Sequence, residues 1–163
     1  MAEHPVTSAT HGMEGAMSMT FRRRRSDLSG GWEKPFETAA AVAEFHRAFN
    51  LPMRQLPSTD IEDDLAKLRV ALLEEEVGEF VIASEKGDLI GLADALADIA
   101  YVVYGTALTY GIDLDSVLRE VHRSNMSKIA GDGKPLIRED GKVLKSEQYF
   151  PPDIASVLGL QDC

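Results

Sequence analysis

Glu74, Glu75, Glu76 and Glu79 fall within the stretch ALLEEEVGEF, residues 71 to 80, which contains no Lys or Arg. Like charges at i,i+4 cost a helix about 0.2–0.5 kcal/mol per pair, so another interaction should offset the crowding. A divalent cation is one candidate. At about 100° per residue, Leu73, Val77, Phe80 and Ser84 form one helix face, and Glu75, Glu76 and Glu79 form a continuous arc on its flank. Glu74 lies on the other flank, toward solvent. The EExxE spacing therefore converges three carboxylates on one point at the edge of the core.

The next stretch, DLIGLADALADIAYVVYGTALTYG, carries a second acidic pair. Leu92, Leu96, Ile99 and Val103 form an apolar stripe. Asp94 and Asp98 stand at i,i+4 and share their face with Tyr101 and Gly105. A helix apolar almost all round belongs at the centre of a bundle. Two aspartates there need partners, because unpaired buried charge is expensive, and no base lies one turn from either. Mg²⁺ takes hard oxygen donors and keeps room for water and phosphate, and Mn²⁺ accepts the same donors. A di-iron site would want Glu-x-x-His pairs, and zinc would want His or Cys. His4 and His11 lie in the N-terminal stretch. His46 and His122 sit on separate helices and read as structural or surface residues. The bland alternative, a solvated acidic face, fits poorly with two acid sets on consecutive helices that both lack i±4 bases.

The elements that must hold these residues are helical. PFETAAAVAEFHRAFN places Phe36, Ala39, Val42, Phe45 and Phe49 at helical spacing, and Pro52 and Pro57 mark a linker. Thr59 to Glu62 fits a capping box for a helix running to about Glu85 and ended by Gly87. Asp88 caps a third helix that reaches Tyr110 before Gly111, and Asp113 caps a fourth, DLDSVLREVHRSNMSK. Asp140-Gly141, between two β-capable runs, predicts a small hairpin or ordered loop, and a short helix is expected from Pro151. The fold expected is all-α, a four-helix bundle core. Residues 1–33 form a flexible arm and 34–163 a single domain.

A net charge of −10 disfavours a nucleic-acid binder but not a nucleotide substrate, since a metal ion inverts local charge. The run Arg22 to Arg25 reads as a solvated tail. The only cysteine is Cys163, which excludes a disulfide framework and points to a reducing, cytoplasmic compartment. The longest apolar run, near residues 99 to 109, is interrupted by Gly105 and reads as far short of a membrane span. No apolar signal-peptide core stands out in the first thirty residues.

EExxE on one helix, followed by an acidic pair ending LADIAYVVYG, resembles the MazG-like all-α nucleotide pyrophosphohydrolases. That superfamily includes the dimeric dUTPases and the phosphoribosyl-ATP pyrophosphohydrolases. EVHRSNMSK and DGKPLIREDGKVLKSEQYFPPDI look like the phosphoribosyl-ATP-pyrophosphohydrolase-like branch, and the resemblance covers about residues 37 to 155. It implies Mg²⁺-dependent hydrolysis of a nucleoside triphosphate to the monophosphate and pyrophosphate by a homodimer or homotetramer, with nucleotide-pool housecleaning as its theme. The first motif falls on Glu75, Glu76 and Glu79. The second, usually ExxD, places its Asp on Asp98 but its Glu on Ala95. Asp94, one residue earlier on the same face, is the expected substitute.

Glu76, Glu79, Asp94 and Asp98 are accordingly the expected metal ligands. Glu75 or Glu76 would orient or deprotonate the attacking water, and sequence does not choose between them. Arg123, Asn125 and Lys128 end the fourth helix on one side and are candidates for the phosphate tail; charge at a helix C-terminus alone would favour the two bases, and the resemblance points to a nucleotide role for Asn125 and Lys128. Lys145 is added from the Gly-rich C-terminal segment, where Lys134 and Lys142 read as ordinary surface charge. Trp32, Phe36, Tyr101 and Tyr104 are candidates to stack on a base, with core packing favoured for the tyrosines. Rival readings are phosphoribosyl-ATP hydrolysis in histidine biosynthesis, a non-catalytic metal- or nucleotide-binding helical module, and a DNA-associated protein using the arginine-rich arm.

Overall fold

A computed structural model describes residues 37–160, which lie within a unit running Phe36–Cys163. Residues 1–33, with Arg22 to Arg25 and Trp32, and also Phe36 lie outside the described residues. The described chain is all-α: α1 (Thr38–Ala48), α2 (Asp63–Lys86), α3 (Leu89–Tyr110), α4 (Leu114–Met126) and α5 (Ile154–Val157). α2 and α3 pack on each other, α1 lies against α3, and the main partner of α4 is α5.

The punctuation follows local chemistry. Gly87 closes α2 in the left-handed conformation, φ 66°, and the Asp88 carboxylate accepts the Ile90 and Gly91 amides at the start of α3. This two-residue turn forces α2 and α3 antiparallel. The second half of α2, with its glutamates, therefore faces the first half of α3, with its aspartates. Gly111 closes α3 in the same way, φ 72°, and Asp113 caps α4 through the Ser116 amide. The capping box expected at Thr59 does not form. Glu62 is the N-cap of α2 and makes no side-chain cap bond. The Ser58 hydroxyl accepts the Asp60 amide and the Thr59 carbonyl accepts that of Ile61 instead, so a local turn takes the donors a box would use.

α3 is longer than its apolar run indicated. It is the one described helix long and apolar enough to cross a membrane. Asp94 and Asp98 on its face and its packing against α1 and α2 suit the central helix of a helical domain.

α1 joins α3 through a buried polar centre. His46 and Arg69, 3% and 8% exposed, both press on Gly105, where a Cβ would lie 2.8 Å from His46 Nε2 and 2.9 Å from Arg69 Nη2. Arg69 donates to the Val102 carbonyl and the Thr106 hydroxyl, and His46 Nδ1 lies 3.1 Å from the Pro52 carbonyl. His46 is thus structural, as expected. Burial chiefly, and then the Arg69 charge, hold its pKa below the ordinary 6.5, against the opposing pull of the Pro52 carbonyl. The unfolded chain therefore binds the extra proton first. This contribution to stability is present above about 6.5 and is lost as pH falls toward the depressed folded value. Thermal melts from pH 7.5 downward should show a loss in the wild type that is blunted in His46→Gln; equal slopes would disprove the assignment.

Beyond α4 the chain makes two tight turns with isolated antiparallel bridges, Ile129 to Pro135 and Ile137 to Val143. The second is the expected Asp140-Gly141 turn, closed by the Arg138 amide on the Lys142 carbonyl, 2.8 Å, and no strand forms among the described residues. Residues 146–153 then return along α4. Ser124, 3% exposed, donates to the Phe150 carbonyl, the Ser127 hydroxyl accepts the Phe150 amide, and Glu120 accepts the Asp153 amide. α5 starts at Ile154, after Asp153, whose carboxylate accepts the Ser156 amide, rather than at Pro151 as expected.

Few apolar side chains among the described residues are buried: Val42, Ala83, Ala95 and Ala107. Val77 and Leu96, expected on core faces, are each 48% exposed. On α2, Val70, Leu73, Val77, Val81 and Ile82 line an apolar concavity of about 630 Å³.

Candidate active site

The antiparallel α2–α3 pair brings the two acid sets together. Glu76 is the half-buried member, whereas Glu75, Glu79, Asp94 and Asp98 are exposed. Its pKa is raised, first by desolvation and then by the fields of Asp98, Glu79, Glu75 and Asp94. The fields of both acid sets thus meet at Glu76, while the closer convergence on a single point expected from the helix spacing is not seen among the described residues. Glu74 is exposed and lines the apolar concavity on α2 rather than the acidic cluster.

None of these five carboxylates has a hydrogen bond or ion pair among the described residues. Nor, among the described residues, are three His, Cys, Asp or Glu side chains gathered closely enough to hold a metal ion as they stand. As a donor set, all-oxygen and free of competing bases, the cluster fits a hard divalent cation.

Ala95 is 2% exposed, so the usual Glu position of ExxD points into packed structure here. Asp94 is exposed, and its field reaches Glu76. Ala95→Glu should therefore lower stability by about 2 kcal/mol or more, through overpacking and an unpaired buried charge. A chemical-denaturation midpoint equal to that of the wild type would contradict this.

The basic set has local partners. Arg123 grips Glu120 through two hydrogen bonds, 2.7 and 2.8 Å, and stacks over Phe150, 4.4 Å from the ring centroid. That fork, with the Asp153 amide, pulls the Glu120 carboxyl down to about 2. Lys128 donates to Asn125, 2.7 Å, and the Lys145 ammonium lies 4.3 Å from the Tyr149 ring centroid. No hydrogen bond or ion pair among the described residues links Arg123, Asn125, Lys128 or Lys145 to the α2–α3 carboxylates. Lys134 and Lys142 are exposed. Tyr104 donates to Asp115, 2.7 Å, which ties α3 to α4.

An aromatic cluster escaped the sequence reading. Phe45 meets Tyr101 edge-on, centroids 5.6 Å apart, and Phe49 at 4.4 Å. Tyr101 is one turn beyond Asp98, so this cluster borders the acids, and Phe49 is 64% exposed. The i,i+4 spacing of Phe45 and Phe49 was visible but reads equally as core.

Residues 42–125 match the family model for phosphoribosyl-ATP pyrophosphohydrolase. The chain belongs to the phosphoribosyl-ATP pyrophosphohydrolase family. That span contains both acidic motifs and the four long helices apart from the ends of α1 and α4. An uncharacterized protein of Acanthamoeba polyphaga mimivirus is 37% identical over 109 residues, 65% of this chain. The chain matches only 41% of that protein's length. A crystal structure of a candidate NTP pyrophosphohydrolase from Exiguobacterium sp. 255-15 is 26% identical, covering 74% of this chain and 92% of that one, with a TM-score of 0.39.

Proposed function

We propose that the protein is a metal-dependent nucleoside triphosphate pyrophosphohydrolase, converting a (d)NTP and water to the (d)NMP and pyrophosphate. The observation carrying this reading is the set of five carboxylates on α2 and α3 whose fields meet at Glu76 and that no base among the described residues pairs with, in a chain of this family. Glu76, Glu79, Asp94 and Asp98 would hold Mg²⁺ or Mn²⁺, which when bound neutralises the triphosphate and the charge developing on it. Glu75 or Glu76 would orient and deprotonate the water attacking the α-phosphorus. Phe45, Phe49 and Tyr101 offer a stacking edge for the base. Housecleaning of the nucleotide pool in the cytoplasm is the role this reading assigns.

The test is pyrophosphate release across a panel of NTPs, dNTPs and phosphoribosyl-ATP with Mg²⁺ or Mn²⁺. Turnover of one or a few nucleotides supports the reading, and turnover of phosphoribosyl-ATP alone would replace it with the family's namesake reaction. Metal binding without any turnover would sink it in favour of a binding module.

We further propose a homodimer or homotetramer. Its support is the open apolar face on α2, because a surface of this kind on one chain asks for a partner. Light scattering should give at least twice the 17.8 kDa chain mass, and Val77→Asp with Val81→Asp should yield monomer. A monomeric wild type would refute this.

A further inference from the structure

A second concavity, of about 310 Å³, opens where the linker after α1 crosses the end of α3. Asp98 and Gly111 are thirteen residues apart along α3, which puts this cavity about 20 Å from the acidic cluster at ~1.5 Å per residue. Arg47, Arg54 and Gln55 supply its polar wall, and Met53, Leu108 and Ile112 its apolar wall.

The cations are not spent on the fold. Among the described residues, Arg47 makes no hydrogen bond or ion pair, and neither does the Gln55 side-chain amide. Arg54 gives one N–H to the Asp60 carbonyl and keeps the rest of its fork. Its backbone amide is pinned to the Leu108 carbonyl, 2.9 Å, so the residue is anchored at the cavity wall. Asp113 also lines the cavity, but its carboxylate is committed to α4, accepting from the Ser116 amide and hydroxyl. A last-turn position favours Arg47 through the helix dipole, but that explains neither Arg54 nor the apolar wall. Two guanidinium groups beside one committed carboxylate make a locally positive cavity in a chain of net charge −10. Guanidinium forks match phosphate and carboxylate oxygens, and the volume sits at the small end of ligand pockets.

We propose that this cavity binds a small organic anion, a phosphate or carboxylate carried on a single ring. The oxyanion lies on Arg47 and Arg54, and the ring lies on Met53, Leu108 and Ile112. The site is separate from the acidic cluster and stands whether or not that cluster hydrolyses nucleotides.

Phenyl phosphate and benzoate distinguish the two anion types, and inorganic phosphate reports what the apolar wall adds. Calorimetric titration of the full chain, without metal, should show at least one aromatic anion binding more tightly than inorganic phosphate. Affinity should fall about tenfold, or 1.4 kcal/mol, in Arg47→Ala and stay unchanged in Glu79→Gln. On wild-type protein, NMR of the arginine Nε–H groups should show Arg47 and Arg54 shifting with the bound probe. That readout holds even if a variant fails to fold. No binding by either aromatic anion, or binding that leaves both arginines unshifted, would overturn the proposal.

Discussion

Glu79→Gln and Asp94→Asn should each cut pyrophosphate release by about 10²-fold or more, the scale seen when groups that hold or support a metal ion are lost. In barrier terms that is at least ~2.7 kcal/mol. The same variants should melt at a higher temperature than the wild type in metal-free buffer. Each removes a negative charge whose field now raises the Glu76 pKa. A raised carboxylate is destabilising when ionised. Relief should therefore be largest near neutral pH and vanish as pH falls well below 4.5, the ordinary value of Glu76, where Glu76 is protonated in both the folded and unfolded states. Loss of activity with gain of stability is the signature of a functional site, and a solvated helix face predicts neither. Full activity in Asp94→Asn would remove Asp94 as the stand-in for the carboxylate absent at Ala95. A drop in melting temperature in both variants would mean that the cluster supports the fold.

Gly111→Ala should be the most destabilising single-methyl change in the described fold. The residue sits at φ 72°, where a side chain costs about 1–2 kcal/mol. An added Cβ would lie 2.2 Å from the Leu56 carbonyl oxygen, a backbone atom that cannot rotate away. With overpacking of about 1–3 kcal/mol the total is about 2–5 kcal/mol. Gly87→Ala is the control. It has nearly the same φ, 66°, but nothing within 4 Å of the added carbon. Denaturation midpoints should place Gly111→Ala well below Gly87→Ala, and equal losses would show that the linker yields freely. Because this linker also walls the Arg47 cavity, Gly111→Ala should weaken anion binding there as well.

The helices were legible because their ends are written in short-range chemistry. Gly87 and Gly111 take positive φ, and Asp88 and Asp113 cap from their own side chains. The acidic site was legible because helical period alone puts Glu75, Glu76 and Glu79 on one arc and Asp94 with Asp98 on one face. A two-residue turn then leaves the two helices only one way to meet. Ala95 as a departure from ExxD was also visible, but its 2% exposure, which makes a glutamate there untenable, was not.

What tertiary structure decided were the interactions between residues far apart in sequence. Arg69 appears as one more surface charge in the chain, yet it is buried against Val102 and Thr106, thirty-three and thirty-seven positions away. His46 joins it only because Gly105 lacks a side chain. The Glu120–Arg123 pair reads as an ordinary i,i+3 ion pair until Phe150 and Asp153 fold back onto it. The apolar faces of α2 and α3 looked like core from their periodicity. Periodicity reports which side of a helix is apolar but not which molecule covers it, and within one chain Val77 and Leu96 stay open. Sequence by itself fixed the elements and the carboxylates they carry; the fold decided which charges are spent on structure and which remain free for a ligand.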